Sequence, residues 1–377
     1  MSSMLWPGWL PLRDDLRGQS PYGAPQHDVA VRLNTNENPY GPSSELVTDI
    51  AKEVAAIAAE LNRYPDRDAL GLRAALADYV NQREELTIGL EQVWAANGSN
   101  EVIQQLLMAC GGPGRAAIGF VPSYSMHELI AKATNTEWIA IPRTSDFSIK
   151  LDAAGLRELR PAVVFVTSPN NPTGTAISPA LLRDLAVLTQ EVNALLVIDE
   201  AYAEFARDGS ISALHLQPEF PHVVVLRTMS KAFALAGARV GYLVAHPSVV
   251  AAVQLVRLPY HLSSLAQAVG MAALRHASEL LATVEQVRSE RDRLSDQLHL
   301  LGLDVIDSDA NFVLFGTFSD QSQIWRDLLD AGVLVRDVGL AGYLRVTAGT
   351  PAENDRFLAA LAPLVQPADP SNPKERS

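Results

Sequence analysis

Several side chains able to act on an amine or a carbonyl stand just past apolar, strand-like runs. Lys231 follows Val223-Val224-Val225-Leu226-Arg227 within Thr228-Met229-Ser230-Lys231, and Arg239 lies eight positions further on. About thirty residues upstream, Ala194-Leu195-Leu196-Val197-Ile198 ends in Asp199-Glu200-Ala201-Tyr202. Before that, the run from Val163 to Val166 leads into Ser168-Pro169-Asn170-Asn171-Pro172-Thr173-Gly174. An imine-forming lysine must shed its charge, which burial and nearby cations promote. Met229, Ala232 and Phe233 would bury Lys231, and Arg227 and Arg239 could supply the cations. A carboxylate at Asp199 could keep a pyridine nitrogen protonated and so make the ring an electron sink. Tyr202 and Asn171 could both reach a ring oxygen. This set of groups can hold and tune pyridoxal phosphate.

A phosphate needs fixed donors, and Asn97-Gly98-Ser99-Asn100-Glu101 offers backbone N–H groups where Val93–Ala96 gives way to an apolar helix. Ser230 and Arg239 can add a hydroxyl and a guanidinium. Each piece has a plainer reading: Gly-Ser-Asn-Glu starts helices, a strand-end Asp caps them, Asn-Pro-Thr-Gly makes turns, and most lysines are solvated. The order in which they occur together favours chemistry. Gly111-Gly112-Pro113-Gly114 matches neither a P-loop nor a dinucleotide fingerprint and reads as a turn.

The elements that must position these groups alternate. Apolar periodicity predicts helices over about 43–62, 68–84, 99–110, 123–133 and 178–191. β-rich runs fall at about 115–120, 137–141, 162–167, 195–199, 222–227 and 239–245. Runs apolar on both faces imply a mostly parallel α/β sheet covered on each side, with functional loops at the carboxyl ends of the strands. After Pro259 the pattern becomes a long helical stretch, short strands near 304–306, 312–315, 333–335 and 343–347, and a last helix over about 351–364. The expected division is an arm at 1–42 packing on the small domain or on a partner, a large α/β domain at 43–260, a small α+β domain at 261–365 and a flexible tail at 366–377.

The 377 residues are 48% hydrophobic, enough for a large core, and 30 basic against 43 acidic residues give a net charge of −13. Such a balance disfavours a general nucleic-acid or anionic-membrane surface. Cys110 is the single cysteine, so no internal disulfide can form. No His/Cys spacing suggests zinc, and a reducing, cytoplasmic setting is expected. Neither a secretory signal nor a run of membrane-spanning length is evident.

The whole chain apart from its tail resembles the histidinol-phosphate aminotransferases, within the fold-type-I pyridoxal-phosphate enzymes. The resemblance rests on Leu33-Asn34-Thr35-Asn36-Glu37-Asn38-Pro39, Arg63-Tyr64-Pro65-Asp66, the Ser168–Gly174 and Asp199–Tyr202 stretches, Thr228-Met229-Ser230-Lys231-Ala232-Phe233 and Tyr343-Leu344-Arg345-Val346. It implies that Lys231 forms the Schiff base, Asp199 pairs with the ring nitrogen, Tyr202 and Asn171 bind the ring oxygen, and Tyr124 stacks on the ring. Gly98, Ser99, Asn100, Thr228, Ser230 and Arg239 would surround the phosphate. Tyr64 would reach the phosphate of the other subunit of a homodimer. Arg345 and Arg336 would bind the anionic end of each substrate, with Asn36, Tyr22 and Tyr260 lining the pocket. The family commonly has Asp where this chain has Asn100.

The implied reaction exchanges an amino group between L-histidinol phosphate and 2-oxoglutarate. Three other readings stand beside it: an aromatic amino-acid aminotransferase, a lyase or decarboxylase on the same scaffold, and a cofactor-sensing regulator. The last requires a basic helix-turn-helix segment that the chain lacks.

Overall fold

The computed structural model describes residues 6–17, 21 and 23–365. An extended arm carries β1 (Val31–Arg32) into α1 (Ser44–Ala58) and α2 (Leu70–Glu84). There follow β2 (Val93–Ala96), α3 (Ser99–Cys110), β3 (Ala116–Val121), α4 (Met126–Ala133), β4 (Glu137–Pro142), α5 (Ala153–Leu159) and β5 (Val163–Thr167). Next come α6 (Pro179–Glu191), β6 (Leu195–Asp199), β7 (Val223–Thr228), β8 (Gly241–Val244) and α7 (Pro247–Val256).

These strands form one seven-stranded sheet in the order β2-β8-β7-β6-β5-β3-β4. β8 runs antiparallel to both of its neighbours, and the other pairs are parallel. The sheet's two faces explain the unbroken apolar runs. Phe165, Val197, Val224 and Leu226 join the side chains of α3, α4 and α7 in one buried cluster. Their neighbours Val164, Val166, Ile198, Val223 and Val225 pack with α2 and α6 in the other. At the carboxyl ends this alternation continues into polar residues. Asp199 and Thr228 fall on the α3/α4 face, and Glu200 and Arg227 on the opposite one.

The remainder comprises α8 (Ser264–Arg275), α9 (Ala277–Leu300), β9 (Asp304–Ile306), β10 (Phe312–Gly316), α10 (Gln321–Asp330), β11 (Val333–Leu334), β12 (Arg336–Asp337), β13 (Tyr343–Thr347) and α11 (Pro351–Val365). A second, antiparallel sheet has the order β12-β13-β10-β9. The expected long helix after Pro259 is two helices, broken at His276, whose φ of −102° and ψ of 18° leave the helical region. Helices α5, α7 and α10 were not expected from periodicity. They are short, and Asp152, His246 and Asp320 cap their amino ends.

The arm ties the two sheets together. The Arg13 guanidinium donates to the carbonyls of Lys132 and Ala133 at the end of α4. β1 pairs in parallel with β11, and the Thr347 amide donates 2.9 Å to the Leu33 carbonyl. Residues 34–38 are thereby laid across the carboxyl ends of the large sheet. The arm residue Tyr22 and the tail 366–377 fall outside the described residues.

Candidate active site

A cleft opens where the large sheet's carboxyl ends meet the arm and β12–β13. Among its lining residues are Asn36, Ser99, Asn100, Tyr124, Asn171, Asp199, Tyr202, Thr228, Ser230, Lys231, Arg239, Arg336 and Arg345. Residues from seven separate segments of sequence therefore face one space. Gly98, just before Ser99, is not itself among the lining residues.

Lys231 leaves the end of β7, and its Nζ donates 2.9 Å to the Thr35 carbonyl of the arm. Burial pushes the amine down to about 8; Arg345 and Arg239 push the same way, against Glu37. Arg227, expected to act on this amine, does not reach it. The pleat turns Arg227 to the other face of the sheet, where it donates 2.8 Å to Glu200 and 2.6 Å to Glu84. Arg345, from the small sheet, takes its place.

Asp199 is 2% exposed; its Oδ2 lies 3.1 Å from His127 Nε2 and its Oδ1 accepts from the Ala201 amide at 3.2 Å. His127 was missed in the sequence. It is 1% exposed on α4 and stacks on Phe165 with ring centroids 4.6 Å apart. Its place three residues after Tyr124, against whose ring it packs edge-on with centroids 5.5 Å apart, was the available signal. Tyr202 is held by a 2.9 Å hydrogen bond from the Asn36 amide to its hydroxyl oxygen. Asn36 is fixed in turn: its backbone takes the left-handed φ of 55°, and Thr347 and Asn311 bond it on both sides.

The start of α3 makes an anion cup. Gly98 occupies the N-cap with φ 80°, and no side chain caps the helix there, which leaves the amides of the cleft-lining Ser99 and Asn100 uncapped. A Cβ on Gly98 would lie 2.5 Å from Arg239 Nη2, and one on Gly241 2.2 Å from the Ser99 amide nitrogen. Glycine at both places lets the guanidinium and β8 close around the cup. Thr228 donates 3.0 Å to Ser230, and Arg239 Nη1 sits 3.5 Å from the same Ser230 oxygen. Tyr124 donates 3.0 Å to Asn100 Oδ1, so the amide that replaces the usual aspartate serves as an acceptor.

Across the cleft, β12 and β13 set Arg336 directly opposite Arg345. Like charges in cross-strand register repel unless an anion lies between or near them. Arg345 is anchored by bonds of 2.5 Å to Asn171 Oδ1 and 2.7 Å to the Asn34 carbonyl, and packs over Phe312. Arg336 Nη1 is buried and has no hydrogen-bond partner among the described residues.

Tyr64 and Tyr260 do not line this cleft. They stack on each other with centroids 4.3 Å apart, 78% and 39% exposed. No group of three or more His, Cys, Asp and Glu side chains among the described residues could hold a metal ion. The donor set does fit pyridoxal phosphate: a cup for a dianion, a buried carboxylate for a ring nitrogen, and an amine of lowered basicity between them.

This sheet and this constellation are those of the fold-type-I pyridoxal-phosphate enzymes. Residues 28–361 match the family described as "Aminotransferase class I and II". The chain is 60% identical to a histidinol-phosphate aminotransferase of Frankia casuarinae, over 94% of this chain and 91% of that one. It is 58% identical to that of Thermobifida fusca, over 93% and 95%. In fold it is similar to the crystal structure of a histidinol-phosphate aminotransferase from Sinorhizobium meliloti in complex with pyridoxal-5'-phosphate (TM-score 0.78, 24% identity, covering 89% of this chain and 91% of that chain). The chain belongs to the histidinol-phosphate aminotransferase family, within aminotransferase class I and II.

Proposed function

We propose that this protein is a pyridoxal-phosphate-dependent transaminase that interconverts L-histidinol phosphate plus 2-oxoglutarate with imidazole acetol phosphate plus L-glutamate, a step of histidine biosynthesis. The observation that carries this reading is one lowered amine, Lys231, set between a carboxylate, Asp199, and a facing pair of guanidiniums, Arg336 and Arg345.

Pyridoxal phosphate, when bound, supplies the carbonyl that accepts the amino group and the ring that spreads carbanion charge. Gly98, Ser99, Asn100, Thr228, Ser230 and Arg239 hold its phosphate. Asp199, oriented by His127, would hold the ring nitrogen, Tyr124 would cover the ring, and Tyr202 and Asn171 would hold the ring oxygen. Lys231 Nζ is the group displaced by the incoming amine. Once free it would take the proton from the substrate carbon as base and deliver it to the cofactor carbon that carried the aldehyde as acid. An amine titrating near 8 is suited to both roles at neutral pH. Arg345 and Arg336 would bind the phosphate of histidinol phosphate in one half-reaction and a carboxylate of glutamate in the other. A bound anion relieves their repulsion, so one site serves two substrates.

The reading includes a homodimer in which Tyr64 reaches the phosphate cup of the other subunit. Its support is the exposed Tyr64–Tyr260 stack beside Leu258, 74% exposed, with the two segments joined by Arg257 donating 2.7 Å to the Arg67 carbonyl. Tyr260, and Tyr22 with it, would then border a shared pocket. We also divide the chain into the arm to 42, a large domain over 43–260 and a small one over 261–365, and assign it to the cytoplasm. No helix among the described residues is long and apolar enough to cross a membrane.

The test is rapid mixing of the cofactor-loaded enzyme with histidinol phosphate and, separately, phenylalanine, following the bound cofactor's absorbance. Specificity constants that favour histidinol phosphate are expected. A preference for phenylalanine would overturn the substrate assignment.

A further inference from the structure

The charges lining the cleft do not sum to an anion site alone. Four cations, Lys231, Arg239, Arg336 and Arg345, face two carboxylates, Asp199 and Glu37. Under the proposed function, which this inference deepens, Arg239 is committed to the cofactor phosphate, Asp199 to the ring nitrogen, and Arg336 with Arg345 to the substrate's anionic end. Glu37 is left over. It follows Asn36 on the arm, whose backbone is fixed by Thr347 and Asn311. Its Oε2 accepts 3.0 Å from the Thr35 hydroxyl. That bond orients a carboxylate at the cleft mouth whose second oxygen has room for a ligand, since Glu37 is exposed.

A carboxylate there does nothing for a phenyl ring. It rewards a substrate whose far end carries an N–H, more so if that end is cationic. We infer that Glu37 is a specificity-determining residue, accepting a hydrogen bond from the imidazole ring of the amine substrate while the arginine pair binds its phosphate. The two ends of the substrate are thus read by opposite charges on different elements, the arm and β12–β13. Glu37 also opposes the lowering of the Lys231 basicity, so a purely electrostatic role through that amine must be separated from recognition.

The separating experiment uses two probes that differ in the ring alone, L-histidinol phosphate and L-phenylalaninol phosphate. Each is rapidly mixed with the cofactor-loaded wild type, Glu37→Gln and Glu37→Asp, and the loss of the bound cofactor's absorbance gives a specificity constant. A charge-assisted hydrogen bond of ordinary strength predicts that Glu37→Gln lowers the ratio of the two constants by about tenfold or more. Glu37→Asp should recover part of it. An unchanged ratio overturns the inference, as does an equal loss on both probes, which would mean that Glu37 acts through Lys231. If wild type takes neither phosphate ester, the proposed function itself fails, and that outcome is distinct from both.

Discussion

The two faces of the same strand ends treat buried charge in opposite ways. On the rear face, Glu200, Arg227 and Glu84 pair with one another, and of the guanidinium only Arg227 Nη1 is left without a partner among the described residues. Glu200 accepts from Arg227 at 2.8 Å, from Ser212 at 2.8 Å and from the Ala213 amide at 2.8 Å, while Glu84 accepts from the same Arg227 Nη2 at 2.6 Å. The guanidinium is raised further above its ordinary value by those carboxylates, against burial that acts to lower it. On the front face, to which Asp199 and Thr228 belong, Lys231, Arg239, Arg336 and Arg345 outnumber the carboxylates, and the amine is lowered to about 8. Charge that is satisfied within the chain holds strands together, and charge left in excess awaits a ligand.

Breaking the front face should cost activity and spare stability. Lys231→Ala removes both the displaced group and the proton carrier, so turnover of histidinol phosphate should fall by about 10⁴-fold or more. The melting temperature of the cofactor-free variant should stay level or rise, because an amine that folding desolvates is gone. A variant that kept turnover within tenfold of wild type would end the argument for this residue. Breaking the rear face should do the reverse. Arg227→Met strands two carboxylates and should lose about 3–5 kcal/mol of unfolding free energy in urea titrations. The specificity constant of the fraction that remains folded should change little, and a loss of activity without a loss of stability would dissolve the contrast between the faces.

The contrast was half legible in the sequence. Lys231, Asp199, Tyr202 and Asn171 could be placed at strand ends because both-face apolar runs mark buried parallel strands, whose carboxyl ends carry function. Arg227 was assigned to the wrong face, although period-two alternation from Leu226 and Thr228 already separates it from the cleft. His127 escaped because one histidine on an amphipathic helix resembles a core residue. The Thr35 carbonyl escaped because a backbone acceptor has no sequence signature. The antiparallel β8 and the helix break at His276 are set by tertiary packing, which periodicity does not encode. Tyr64 and Tyr260 face outward on this chain, so their proposed role depends on a surface that a second copy would complete.

A finer cut compares geometry with charge on the front face itself. Arg345→Lys keeps the charge but cannot hold Asn171 and the Asn34 carbonyl while presenting a planar fork to an anion. A loss of about 2 kcal/mol, roughly 30-fold in kcat/KM, is expected for histidinol phosphate and for glutamate alike, since both anions use the same site. Losses differing by more than tenfold between the two half-reactions would show that the substrates bind at separate arginines.

The smallest effect distinguishes the faces by pH. In the cofactor-free protein Lys231 titrates at about 8, whereas an unfolded lysine titrates near its ordinary ~10.4. Between those values the unfolded chain binds more protons, so folding stability attributable to this residue rises with pH across that window. Below pH 8 the amine is charged in both states and its burial penalty is present in full. The difference in unfolding free energy between Lys231→Met and wild type should therefore favour the variant below pH 8 and shrink by about 1 kcal/mol towards pH 10, a fraction of the full shift because Lys231 is only half-buried and partly screened. Arg227→Met carries no such slope, because a guanidinium raised above its ordinary value stays charged throughout. Parallel pH profiles for the two variants would mean that the front amine stays charged as the rear guanidinium does, and the distinction between structural and functional charge in this fold would fall with it.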